Sequence, residues 1–479
     1  MSKVSHRLFS LSMVVWGVAC VPSLSQNPPR EPNKNLPAAF PRAGGEKSAG
    51  ADPQVSAANQ AWRSFFDDPS LRQLVATALR NNQELNIRLQ EMVMAKSEVM
   101  AREGEYLPQL GVAAGVGVDK VGRSTSKGAS DEAHELPEPL MNYQVGLVGS
   151  WEVDIWKKLR NAAKAAGLRY LASVEGRNFM VTQLVAEIAS AYYELSALDS
   201  QLQVLKQNIE IQQSALHVVK LQKEAARVTE LAVQRFEAEV LKNQSRRFDL
   251  QQRIIETENR INFLVGRYPQ PVQRNSRRFN EPLPASVQAG LPSQLLENRP
   301  DVRQAELQLL AAKLDVDVAR ARFYPALSIE AGVGYQAFNA AHLLVTPEST
   351  FFNLAGNLVA PLLNRQGIKA EYFSANAEQL RAVFNYERVL LRAFTDVANQ
   401  LSMIDNLQGS YQLEAEQVER LTRAIEVSNV LFQSARADYM EVLLTRRDAL
   451  ESQMELIDTR LQQRLAVVHV YQALGGGWR

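Results

Sequence analysis

The chain almost lacks cysteine. Its 479 residues include one, Cys20, so neither an intrachain disulfide nor a cysteine-based zinc site can form. Histidine is scarce too: five residues, scattered at 6, 134, 217, 342 and 469, with no HExxH pair. Aromatic residues make up 7% against 46% hydrophobic residues overall, so the core is mostly aliphatic and alanine, as in long helices. An excess of one charge is also missing. The 53 Lys and Arg meet 52 Asp and Glu, which argues against a chain that holds nucleic acid on a basic face. The glycines of Gly111–Gly117 lack the Gly-Lys-Ser/Thr ending of a phosphate loop. Asp315/Asp317 and Glu237/Glu239 are spaced two apart, so each pair points to different faces of a helix. No nucleophile, base and orienting group gather at a recognisable spacing, and the reading is of a protein that is not an enzyme.

The N-terminus has the grammar of export. Lys3, His6 and Arg7 precede an apolar run, Leu8–Ala19, that is too short to cross a bilayer as a helix. Residues 1–19 therefore read as a signal peptide. Cys20 closes Gly17-Val18-Ala19-Cys20, which is similar to a bacterial lipobox, with Gly17 where a leucine-like residue is usual. An ordinary signal with an incidental cysteine is the alternative. A lone cysteine at this place in an exported chain favours lipidation. Acyl chains would tether the terminus to a membrane, each buried methylene adding about 0.8 kcal/mol. Apart from that covalent lipid on Cys20, no cofactor is expected. Pro22, Pro28, Pro29, Pro32, Pro37 and Pro41 forbid regular helix, so residues 20–60 read as lipid anchor and extended linker.

The remainder is written twice, as residues 61–275 and 276–479. Pro108-Gln109-Leu110 through Gly115-Val116-Gly117 matches Pro325-Ala326-Leu327 through Gly332-Val333-Gly334 without a gap. Ala95-Lys96 meets Ala312-Lys313, Leu195 to Asp199 meets Leu401 to Asp405, and Leu264-Val265-Gly266 meets Ala473-Leu474-Gly475. Each half predicts a helix (71–104 or 292–323), two strands, a long helix (157–226 or 367–434) and a returning helix that ends at glycine. A 70-residue helix is roughly 105 Å long, and the two shorter helices of each half together span the same distance. Leu390, Phe394, Val397, Leu401 and Ile404 step by four and three, as do Ala191, Leu195, Leu198, Leu202, Leu205 and Ile209. This repeat implies left-handed coiled-coil packing.

Four segments alternate with period two: 107–118, 142–153, 326–336 and 351–361. Leu110, Val112, Ala114, Val116 and Val118 face one way, and Gln109, Gly111, Ala113, Gly115 and Gly117 the other. The lengths suit transmembrane strands. A soluble sheet packed on the helices is the bland alternative. Four such segments in an exported chain favour the membrane, with the connections 119–139 and 337–350 as outer loops. Four strands cannot close a barrel and open edges are forbidden in lipid, so the barrel must be shared between subunits.

Several motifs carry a family resemblance. They are Leu36-Pro37-Ala38-Ala39-Phe40, Trp62 with Phe65-Phe66-Asp67-Asp68-Pro69-Ser70-Leu71, Trp151-Glu152-Val153-Asp154-Ile155-Trp156, Arg299-Pro300-Asp301-Val302-Arg303 and Phe323-Tyr324-Pro325. From Cys20 to Trp478 the chain resembles TolC-type outer-membrane efflux proteins, in the lipoprotein branch that serves resistance-nodulation-division (RND) pumps. The resemblance implies a mainly α fold with a small β part: a long coiled-coil α-barrel plus a transmembrane β-barrel shared by a homotrimer. It implies an exit duct for small molecules such as drugs, lipid-anchored in the outer membrane of a Gram-negative bacterium and extending into the periplasm. The partners would be a periplasmic adaptor and an inner-membrane RND transporter. Type I protein secretion and metal efflux are alternative clients, and a poreless coiled-coil scaffold is an alternative class.

The resemblance places the tips at Ala226–Leu231 and Ala435–Leu443, with Arg227, Val228, Thr229, Arg436 and Ala437 as adaptor contacts. Relatives usually carry glycine where Ala226 and Ala435 stand, which predicts a slightly different turn. Asp438 and Glu441 match acids that ring the constriction of related channels, with Leu444 where some carry a further acid. Three copies of a carboxylate around a narrow axis would attract cations and raise one another's pKa. Asp438 equally suits a helix cap.

Overall fold

The computed structural model describes residues 21–25, 27–41, 56–281, 289–363, 365–434 and 436–479. The signal segment, Cys20 and Ala435 lie outside the described residues. The chain divides into two compact units. Among the described residues no helix is long and apolar enough to cross a membrane.

The first unit gathers Met92–Leu171, Glu306–Asn385 and the segment up to Pro32. It holds one antiparallel sheet in the order β1 (Gln109–Asp119), β2 (Leu140–Val153), β3 (Ala326–Ala337), β4 (Thr350–Val359). The pairing aligns Val112, Leu147, Val333 and Phe352 in one row, and Leu110, Gly149, Ala331 and Leu354 in the next on the same face. A one-residue slip would send every apolar side chain to the other face, so the alternation fixes the register. Among the described residues nothing covers that apolar face: Val112 is 77% and Phe352 87% exposed. The opposite face is slim. Gly146 pairs with Gly334, and a Cβ on either would overlap the neighbouring strand's backbone. Strands β1 and β4 are edges without a partner strand among the described residues.

One expectation needs correcting here. The connection between β1 and β2 is not wholly irregular. It contains a helix, Ser126–Ala133, whose Thr125 cap accepts from the Gly128 N–H at 3.1 Å. The segment after position 20 is extended where it is described, and residues 21–32 are fastened to the first unit. Val21 and Leu24 pack on Ala319, Phe323 and Tyr372. The backbone carbonyls of Asn27 and Arg30 accept from Asn376 Nδ2 (2.8 Å) and Gln379 Nε2 (3.0 Å), and Glu31 pairs with Lys313 at 2.6 Å. Proline keeps this strap extended and leaves its carbonyls free as acceptors.

The second unit gathers Asn33–Glu91, Ala172–Ala305 and Tyr386–Arg479. It holds Trp62–Phe65 (α1), Pro69–Asn81 (α2) and the start of α3 (Gln83–Glu105), which passes into the first unit at Met92. The hairpins are Lys158–Glu224 (α5) with Glu230–Val265 (α6), and Gln366–Gln433 (α9) with Tyr439–Ala473 (α10), where α4 denotes Ser126–Ala133; α5 and α9 begin in the first unit. Leu195, Leu198 and Leu205, and in the second half Leu390, Val397 and Leu401, are buried as their spacing predicts.

The helices expected at 71–104 and 292–323 are each interrupted once. In the first half the break is Asn82, between α2 and α3. In the second it is Arg299, between Leu295–Asn298 (α7) and Pro300–Ala321 (α8). Asn82 Oδ1 accepts from the Leu85 N–H at 2.9 Å, starting a new helix, and its Nδ2 donates to the Leu264 carbonyl at 2.8 Å. Arg299 is held extended by the following Pro300. Its Nη1 donates to the Ala473 carbonyl at 2.9 Å while its fork closes on Asp301 at 2.9 and 2.7 Å. The repeat offset that carries Pro108 to Pro325 also carries Asn82 to Arg299. Both returning helices finish against these breaks. Gly266 (φ +74°) and Gly475 (φ +89°) take the left-handed conformation, Gly475 one residue after the cap position, which Leu474 occupies.

The tryptophan–aspartate motif staples this unit. Asp68 caps α2 through Ser70 N (2.8 Å) and accepts from the buried Tyr192 hydroxyl at 2.7 Å. Burial, with Asp68 alongside, pushes the Tyr192 phenol well above its ordinary pKa. Arg274 bridges Asp199 and Glu258, each at 2.5 Å.

Candidate functional site

The tip residues lie together in the second unit. Between α5 and α6 the chain turns at Ala226, with φ +54°. The Arg227 N–H donates back to the Gln222 carbonyl at 2.8 Å. Between α9 and α10 the Arg436 N–H donates to the Leu431 carbonyl at 2.9 Å, the same closure in the second repeat. Ala226 is thus one of the few non-glycine residues with positive φ. It is held in glycine's own conformation, at a cost of about 1–2 kcal/mol for an L-residue. The holding comes from the apolar cluster of Val219, Ala232, Val233, Phe236 and Leu443, on which Val228, Tyr439 and Met440 also pack.

Among the predicted adaptor contacts, Arg227, Thr229 and Arg436 are exposed, and Val228 and Ala437 are half-buried. Asp438 stands at the N-cap of α10 but its side chain makes no capping bond. Glu441 lies in the first turn of that helix, and both carboxylates are exposed. Among the described residues neither carboxylate has a hydrogen-bond or ion-pair partner. The first hairpin is latched near its tip by Lys220–Glu237 (2.5 Å) and Lys223–Glu230. A hydrogen bond from Lys223 holds the Glu230 carboxyl below its usual range. At the positions of Lys220 and Glu237 the second hairpin has Asn429 and Arg446, joined by one hydrogen bond of 3.2 Å. Burial lowers the Arg446 guanidinium pKa. Arg446, Gln222, Phe236 and Phe432 line a groove of about 450 Å³ beside this pair.

In the first unit, aromatic residues crowd the ends of the strands. Trp156 stacks on Tyr324 (4.7 Å between centroids) and its Nε1 donates to the Pro325 carbonyl at 2.8 Å. Trp151 Nε1 donates to the Tyr106 carbonyl at 3.1 Å. Rings with one apolar body and one satisfied polar atom suit a membrane–water boundary. The apolar sheet face begins immediately beyond them.

An outer membrane efflux protein model matches residues 74–267 and again 291–476, one match to each repeat. The chain belongs to the outer membrane efflux protein family. This is a family of channel proteins of the outer membrane, and the chain is not an enzyme. Curated relatives include the pyoverdine export outer membrane protein OpmQ of Pseudomonas aeruginosa, 29% identical over 418 residues and 87% of each chain. The probable outer membrane lipoprotein SilC of Salmonella typhimurium is 27% identical over 422 residues, 87% of this chain and 88% of its own. The cation efflux system protein CusC of Escherichia coli is 26% identical over 421 residues, 88% of this chain and 89% of its own. Among solved structures, a Pseudomonas aeruginosa membrane protein superposes with TM-score 0.85 at 23% identity, covering 96% of this chain and 100% of that one. A CusC structure, described in terms of transmembrane channel formation, gives 0.80 at 23% identity over 94% and 99%. Membership agrees with the TolC-type resemblance and the two-repeat fold read from the sequence. The Asn82 and Arg299 junctions escaped that reading, although the repeat offset links the two positions.

Proposed function

We propose that this efflux protein is the passive exit duct of a tripartite pump for small organic molecules, working as a homotrimer. The observation that carries the proposal is the sheet, with one exposed, mainly apolar face and two edges unpaired among the described residues. Such a sheet is stable in lipid only if its edges are paired. Three copies, β4 of each meeting β1 of the next, would close a barrel of twelve strands. The tips would meet a periplasmic adaptor through Arg227, Val228, Thr229, Arg436 and Ala437, with an inner-membrane RND transporter supplying the energy. Asp438 and Glu441 would form the gate. The names of the relatives span pyoverdine and cation export, so the client is set by the pump rather than by this fold. Lipidation of Cys20 is supported by the strap. Val21 packs on Phe323, two residues from the Pro325 carbonyl that Trp156 grips, so the described chain begins beside that aromatic boundary, as suits a membrane-anchored terminus.

The internal repeat specifies the seam between copies. Strand β1 maps onto β3 and β2 onto β4, so the β2–β3 pairing is a template for β4–β1. Applied in register, it puts Asn357 opposite Gly115 and Leu354 opposite Val118 of the next copy, which keeps apolar residues on one face. In a chain with Cys20 replaced, Gly115→Cys with Asn357→Cys is expected to give covalent trimers and intact single-channel conductance. The pair Ala113→Cys with Asn357→Cys is out of register and should stay monomeric on denaturing gels. Absence of both cross-link and conductance would defeat the shared-barrel reading.

A further inference from the structure

The four strands carry no lysine or arginine. Their only charged residues are Asp119, Glu152 and Glu330. By the register all three lie on the face opposite Val112, Leu147, Val333 and Phe352. They are not equivalent. Asp119 is the last residue of β1, next to a loop where Lys120 and Arg123 gather around Glu138. Glu152 is neutralised by Lys158. Glu330 sits within β3, flanked by Ser150 on β2 and Ala355 on β4. It is exposed, and among the described residues its carboxylate has no hydrogen-bond or ion-pair partner.

We infer that Glu330 is a charge-selecting residue of the duct, favouring cationic and neutral solutes over anions inside the strand region. This rests on the shared-barrel reading, in which the face bearing Glu330 lines the lumen. Strands about 4.8 Å apart and tilted by about 40° close a twelve-strand barrel with a radius of roughly 12 Å. Three carboxylates at that radius act on the axis across about one Debye length at 0.1 M salt and about four at 1 M. Their effect is therefore modest and dependent on salt. A carboxylate ring at a narrow tip would be screened far less, because solute passes it at contact distance. Salt dependence thus separates the two.

The test is the reversal potential of trimers in planar bilayers under a KCl gradient, for wild type, E330Q, E330K and E441Q. E330Q is expected to lower the K⁺/Cl⁻ permeability ratio roughly three-fold near 0.1 M salt and to leave it almost unchanged near 1 M. E330K should move it further in the same direction, and E441Q should act at both salt concentrations. Unchanged ratios for E330Q and E330K in channels of normal conductance would overturn the inference while leaving the duct intact. A wild type without conductance would instead bring down the duct reading itself.

Discussion

Replacing Gly475 or Gly266 by alanine tests the account of how the repeats close. Gly475 has φ +89° and Gly266 φ +74°. A Cβ at either would come closer than 3.0 Å to a backbone carbonyl oxygen, of Asn298 or Asn81 respectively. The left-handed conformation alone costs an L-residue about 1–2 kcal/mol. The overlap adds to this, because the oxygen belongs to backbone and cannot rotate away. The shift it forces would also lengthen the Arg299–Ala473 or Asn82–Leu264 hydrogen bond, a further loss of about 1 kcal/mol. Each substitution should therefore cost about 3 kcal/mol. Gly409→Ala is the control. It lies within α9 with nothing within 4 Å of the new Cβ, and alanine there should stabilise by about 0.5–1 kcal/mol. Tryptophan fluorescence during heating of detergent-extracted protein reads all three. At about 1–2 °C per kcal/mol for a chain of this size, the first two should melt roughly 3–6 °C lower and the control slightly higher. Melting of Gly475→Ala or Gly266→Ala at or above the wild-type temperature would refute the reasoning.

Two further substitutions probe other parts of the second unit. Ala226→Gly should raise the melting temperature, gaining about 1 kcal/mol as the φ +54° strain is relieved; a fall would mean that the turn does not hold alanine in that conformation. Tyr192→Phe should cost about 1–3 kcal/mol at pH 7, because it strips the buried Asp68 of a donor. Since the Tyr192 pKa is raised on folding, its stabilisation is complete below the unfolded value near 10 and is lost as pH climbs beyond it. The wild type should thus lose stability in alkali more steeply than Tyr192→Phe, as melting curves between pH 8 and 11 would reveal.

What could be read from the sequence was whatever rests on local periodicity or on a residue with one backbone habit. Leu110, Val112 and Val116 announced their strand because period two leaves no other way to gather them on one face. Pro325 and Gly266 marked ends for similar reasons. The breaks at Asn82 and Arg299 were hidden because their acceptors, the Leu264 and Ala473 carbonyls, are 182 and 174 residues away. The strap was hidden for another reason. Its hold depends on the Asn27 and Arg30 carbonyls, and composition says nothing about which backbone groups find donors. The positive φ of Ala226 was hidden because residue type records preference, whereas the surrounding fold sets conformation. The residues proposed for the gate were legible only by resemblance: no local pattern distinguishes Glu441 from the other acids on these helices.

The β2–β3 pairing joins the two repeats within one polypeptide, in the way that β4 and β1 would join neighbouring chains. A ring of three copies would contain six such seams, and translation delivers three of them already formed. Ring assembly becomes a three-body encounter instead of a six-body one. Each body spared avoids an association cost of about 4 kcal/mol or more in translational and rotational freedom. Assembly yield should accordingly depend on a lower power of chain concentration than it would for an unduplicated ancestor, an advantage where newly exported chains are dilute.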